Sequence, residues 1–116
     1  MLINTRAIGF PPTDALVRHV DFHLASSLEP FSRHVTRIMV RLEDVNADRG
    51  GIDKRCSIVA ALRRRRVQFA EATESDLYAA IENAARKIHR AVSTAVSWRR
   101  SRERKDRQRP GALVEL

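Results

Sequence analysis

A single cysteine, Cys56, excludes disulfide stapling from the ways this 116-residue chain can hold itself together, and it fits a reducing compartment. It lies in an apolar alternating segment and reads as a small core hydrophobe. Aromatics are scarce: one tryptophan, one tyrosine and four phenylalanines. A protein that stacks unpaired bases usually displays aromatics on an open strand face, whereas Phe10, Phe31 and Phe69 occupy positions a core would use. Base stacking is therefore not expected. Only four glycines are present, and Gly50-Gly51 is an isolated turn rather than a phosphate-cradling loop. No apolar run approaches the ~20 residues that span a bilayer. Residues 1–10 lack the basic-then-apolar build of a secretory leader. The expectation is a cytoplasmic protein with no membrane partner.

Lysine is also rare, at Lys54, Lys87 and Lys105, so the net charge of +8 is carried almost wholly by arginine. Its placement is uneven. Residues 99–109 hold seven basic and two acidic side chains, and Arg63, Arg64, Arg65 and Arg66 form an unbroken run inside a β-rich stretch. Four guanidiniums at a hairpin tip repel one another unless water, salt or a polyanion surrounds them. Nucleic acid is the phosphate-rich partner such a surface suits, although a solvated turn in an arginine-biased composition is the plainer alternative.

Constellations for catalysis are few. His19 and His23 stand four residues apart on a helix, a spacing that can hold a metal. No HExxH carboxylate accompanies them and no third ligand is evident, so the expectation is no metal and no cofactor. Ser26, Ser27 and Ser57 have no identifiable base, and Glu43-Asp44 at a strand end reads as a solvated edge. No enzyme activity and no small-molecule substrate are expected.

Residues 2–10 read as a strand ended by Pro11-Pro12. Thr13 is a candidate N-cap with Asp14 in the first turn, and Leu16, Val20, Leu24 and Leu28 form a helical stripe closed by Pro30. Val35–Asp44 alternates, with Ile38, Val40 and Leu42 opposite Arg37, Met39, Arg41 and Glu43. Residues 45–53 read as a loop. Lys54–Leu62 alternates again through Cys56, Ile58, Ala60 and Leu62; the arginines turn, and Val67 and Phe69 open a fourth strand. Residues 73–76 contain a hydroxyl N-cap candidate with a carboxylate three residues on. Leu77, Ile81, Ala84, Ile88, Val92 and Ala95 then mark a helix to about residue 97, with Arg86, Lys87 and Arg90 on a neighbouring flank.

The order is β-α-β-β-β-α. A helical crossover makes the first two strands parallel, and short turns make the later ones antiparallel. The fold class is α+β: a four-stranded mixed sheet with both helices on one face, because each strand offers one apolar side. The other face, bearing Arg37, Arg41, Arg55, Ser57 and Gln68, is left wet. Residues 1–98 form one domain, and residues 99–116 form a basic tail expected to be disordered beyond a turn or two of helix.

Asp76-Leu77-Tyr78-Ala79-Ala80-Ile81, followed by Lys87-Ile88-His89-Arg90, resembles the D-x-Y-x-A-I and K-[LI]-x-R pattern of the last helix in the ribosome hibernation-promoting factor family. That family includes ribosome-associated inhibitor A and the sigma-54 modulation proteins. Leu2-Ile3-Asn4, Thr13-Asp14-Ala15-Leu16 and His19-Val20 are similar to its opening strand and helix, and the likeness covers about residues 1–96. The resemblance implies a fold similar to the double-stranded RNA-binding domain, and a factor that binds small-subunit ribosomal RNA in the mRNA and tRNA channel, blocking translation in stationary or starved cells. It implies that Lys87 and Arg90 match basic helix positions and that Lys54 and Arg55 match the basic start of the third strand. With Arg63, Arg64, Arg65, Arg66 and Arg86 these complete the candidate RNA-binding set. The chain departs from the pattern at His23 and Ser26, where lysine or arginine is usual, at Ser27, which resembles an insertion, and at the arginine tip. It is similar to the short class, without the paired C-terminal domain of the long form. The competing expectation is a regulatory protein-interaction module of the same fold, docking a partner through residues 99–116 and their Leu113-Val114-Glu115-Leu116 end.

Overall fold

The structure is a computed structural model, described here for residues 1–45 and 53–108, with side chains described to residue 98 and at Arg104. The elements are β1 (Leu2–Ile8), α1 (Asp14–Leu28), β2 (Val35–Asp44), β3 (Lys54–Leu62), β4 (Arg66–Glu74) and α2 (Leu77–Gln108), with a single 3-10 turn at Glu29–Phe31 and a tight left-handed turn at Arg63–Arg65. They build the expected β-α-β-β-β-α order: one sheet in the order β1-β2-β3-β4, parallel between β1 and β2 and antiparallel elsewhere. Most of the 45–53 loop and the end at Leu113–Leu116 lie outside the described residues.

Local signals explain most boundaries. Gly9 takes a left-handed φ of 90° as β1 ends, a conformation glycine adopts without strain. The Thr13 hydroxyl accepts from the Leu16 backbone N–H at 3.2 Å and caps α1. The second helix differs from expectation in its cap. Thr73 and Glu74 stay extended because β4 still pairs there with Arg55 and Lys54. Asp76 caps α2 instead, its carboxylate accepting from the Tyr78 backbone N–H at 3.3 Å. The backbone of α2 continues to Gln108, well past Val96, the last buried residue among those described. At about 1.5 Å per residue its 32 residues reach about 48 Å.

One core lies between the helices and the sheet. Leu24 and Leu28 from α1, Ile38 and Leu42 from β2, Ile58 from β3, and Ile81 and Ile88 from α2 are all fully buried. Each such side chain contributes about 1.5–3 kcal/mol of hydrophobic stabilisation. Phe10 and Phe31 pack against this core as expected. Phe69 does not: it is 58% exposed. Pairing sets its side, because Phe69 lies opposite Val59 and Val67 opposite Ala61, on the face away from the helices. Ala70 and Ala72 occupy the core side of β4, where small side chains let α2 approach closely. The same phase moves Gln68, expected on the wet face, to the helix side, opposite buried Ala60.

Candidate nucleic-acid interface

The nine basic residues singled out in the sequence fall into two sets. Lys54 is engaged within the molecule: its ammonium contacts the Asp44 carboxylate at 2.9 Å and the Asp53 carboxylate at 3.0 Å. Asp53 is only 1% exposed, so this ammonium neutralises a buried charge and helps close the loop between β2 and β3. The Val45 N–H, donating to the Asp53 carbonyl at 2.8 Å, closes it further. The hydrogen bonds to Asp44 and Asp53 hold the Lys54 pKa above its ordinary 10.5. Arg55 sits on the open sheet face within 3.7 Å of Glu43 and 4.0 Å of Glu71.

The other seven, Arg63 to Arg66, Arg86, Lys87 and Arg90, form no ion pair among the described residues. Their positions follow from one topological fact: α2 leaves the far end of β4 and runs back along it toward the β3–β4 tip. Arg63, Arg64 and Arg65 make that tip, and all three are exposed. The Arg63 backbone N–H donates to the His34 carbonyl at 2.9 Å, tying the tip to the start of β2. Arg64 and Arg65 both take left-handed φ values, 66° and 60°.

Arg66, the first residue of β4, turns toward the helix. Its guanidinium donates to the Ala95 carbonyl at 3.4 Å and stands 5.8 Å from the Trp98 ring centre, within cation–π range. Lys87 donates to the Glu71 carbonyl at 3.0 Å. Because β4 is an edge strand, such a contact covers one of the backbone groups the edge leaves unpaired. Between them lies an open groove of about 450 Å³ lined by Arg66, Gln68, Arg90, Ala91, Thr94, Ala95 and Trp98. Arg90 also lines a second hollow on the other side of α2, together with Ser26, Ser27, Pro30, Arg86 and His89. Arg86 is steadied by a hydrogen bond to the Asn83 side-chain oxygen. The His89 Nδ1–H donates to the Ser27 carbonyl at 2.6 Å, pinning the last turn of α1 to α2.

Two features escaped the sequence. Trp98 joins the arginine tip through Arg66, and only the return of α2 along β4 makes them neighbours. Phe69, Met39 and Val67 form an exposed apolar strip on the open sheet face; the alternation of β4 carries that signal once Ala70 and Ala72 are its core phase. Cys56 offers no chemistry: it is fully buried, and burial pushes its thiol pKa up to about 12. No helix among the described residues is long and apolar enough to cross a membrane.

Two helices on one face of a four-stranded mixed sheet, in this order of elements, define a small α+β domain. The chain belongs to the sigma 54 modulation protein / S30EA ribosomal protein family, whose sequence profile matches residues 3–97. The resemblance read from the last helix thus holds over nearly the whole sheet-and-helix body. This is a family of ribosome-associated hibernation factors rather than a known class of enzyme. Among solved structures, the chain is similar to a ribosomal subunit interface protein from Coxiella burnetii (TM-score 0.73, 18% identity, covering 84% of this chain and 99% of that one). It is also similar to the N-terminal domain of Protein Y from Thermus thermophilus (TM-score 0.62, 25% identity, covering 78% and 90%). No curated protein matches the sequence.

Proposed function

We propose that this protein is a cytoplasmic translation-silencing factor that grips small-subunit ribosomal RNA in the mRNA and tRNA channel. The gripping surface is the arginine tip together with the outer flank of α2. One observation carries this reading: Arg63 to Arg66, Arg86, Lys87 and Arg90 have no carboxylate partner among the described residues, whereas Lys54 and Arg55 do. Guanidiniums without a carboxylate, beside an open groove, are the groups that meet phosphate oxygens two at a time. Membership in a ribosomal protein family supports ribosomal RNA as the polyanion. Lys54 and Arg55 act in holding the loop and the open face, so the RNA-contacting set narrows to seven.

Through these seven side chains, recognition rests on backbone charge and shape. A footprint of about six phosphates makes affinity fall about 10³-fold between roughly 50 and 200 mM salt. The test is sedimentation of purified protein with small subunits at both salt levels, alongside in vitro translation. Cosedimentation at low salt with inhibition of translation supports the proposal. Folded protein that stays in the supernatant refutes it.

A further inference from the structure

His19 and His23 gain in three dimensions the third partner that the sequence does not reveal. One turn apart on α1, they face α2, where Glu82 projects between them. The Glu82 Oε1 lies 3.5 Å from the His19 Nε2 and 3.7 Å from the His23 Nε2. The three candidate ligand atoms are all within 4.8 Å of one another. We propose that His19, His23 and Glu82 form a binding site for a divalent transition metal of the zinc class, clipping α1 to α2.

The two histidine–carboxylate distances suit a shared ion better than direct hydrogen bonds, while the three atoms together span up to 4.8 Å and would draw in slightly around a metal. A nitrogen–oxygen hydrogen bond spans about 2.7–3.2 Å, shorter than either separation. Two ligands bound at about 2.1 Å to one tetrahedral ion sit about 3.4 Å apart, close to both. The His19 Nε2 is buried and has no hydrogen-bond partner, and the Glu82 carboxylate is its polar neighbour at 3.5 Å. The rings are held in place by neighbours: Tyr78 meets His19 edge-on at 4.7 Å, and Phe22 meets His23 edge-on at 5.4 Å. Two imidazoles and one carboxylate are the donor set that zinc, cobalt and nickel accept. Partial exposure of all three (21%, 31% and 45%) leaves a path for the ion and room for a fourth ligand from solvent.

The test uses the full chain, titrated with zinc by calorimetry and by thermal melting, and with cobalt by visible absorption. The expected result is one equivalent of zinc bound, a raised melting temperature, and the cobalt bands of a tetrahedral site. Glu82→Gln, at a half-exposed position that leaves the core untouched, is the decisive variant; His23→Gln is the second. Loss of an outer-shell partner already costs a metal site about 10- to 100-fold in affinity. Each substitution here removes a ligand itself and should cost at least that much. Zinc that leaves the melting curve unchanged, or that binds Glu82→Gln and His23→Gln as tightly as the parent, overturns the proposal. In that case the three side chains are an ordinary ion-pair cluster. The readout is independent of RNA binding, so a failure here leaves the ribosomal reading untouched.

Discussion

Exchanging Arg64→Asn and Arg65→Gly sets backbone conformation against charge at the β3–β4 tip. Both residues sit in the left-handed region, which costs an ordinary L residue about 1–2 kcal/mol. Asparagine tolerates that region, and glycine adopts it without strain, which is why Asn-Gly is favoured where a hairpin needs two positive φ values in succession. Glycine's freedom in the unfolded chain takes back about 0.5–1 kcal/mol. The double variant should therefore be more stable than the parent by about 1–2 kcal/mol, a rise in melting temperature of about 5 °C per kcal/mol. Binding should move the other way. Without these two guanidiniums on phosphate, the salt slope should fall by about 2 and affinity should weaken about 50-fold at roughly 0.1 M salt. Thermal unfolding and ribosome cosedimentation over a salt series measure both effects on the same samples. A variant that is stabilised yet binds with an unchanged salt slope would show that the arginines are solvated surface and touch no phosphate. A variant that is destabilised would refute the conformational argument.

Thr13→Ala removes the hydroxyl that caps α1 and should cost about 1 kcal/mol in urea unfolding, while Thr13→Ser should retain most of it. Lys54 makes stability fall at alkaline pH. Its folded-state pKa lies above the unfolded 10.5, so its contribution is complete below 10.5 and disappears as pH rises through the folded value. Lys54→Met should be less stable than the parent near neutrality, because Asp53 stays buried without its partner, and that difference should shrink in the alkaline window. Cys56 should resist thiol reagents at neutral pH until the chain is unfolded, since its thiol is buried and pushed up to about 12; rapid labelling of native protein would contradict its placement in the core.

Much of the fold was legible because the signals are local. Leu16, Val20, Leu24 and Leu28 repeat on a helical period, and Ile38, Val40 and Leu42 alternate against charged neighbours. Each set has one self-consistent burial, so α1 and β2 followed from the sequence with their boundaries. The arginine tip was legible for a similar reason: the alternation stops at Leu62 and resumes after Arg66. The D-x-Y-x-A-I motif named the family because its residues are contiguous on one helix.

Other features needed the assembled molecule. In β4, Val67 and Phe69 on one side and Ala70 and Ala72 on the other both satisfy an apolar alternation; only the close approach of α2 selects the alanines and leaves Phe69 outside. The charges of Lys54 and Lys87 look alike in a string of letters. Asp44 and Asp53 neutralise one, and a bare strand edge engages the other. Burial periodicity is set within a few residues of chain, so the sequence by itself determined the elements, their order and the family. Electrostatic and coordination partners are set by which helix crosses which strand. For that reason Glu82 met His19 and His23, and Trp98 met Arg66, only when α2 had packed back across the sheet.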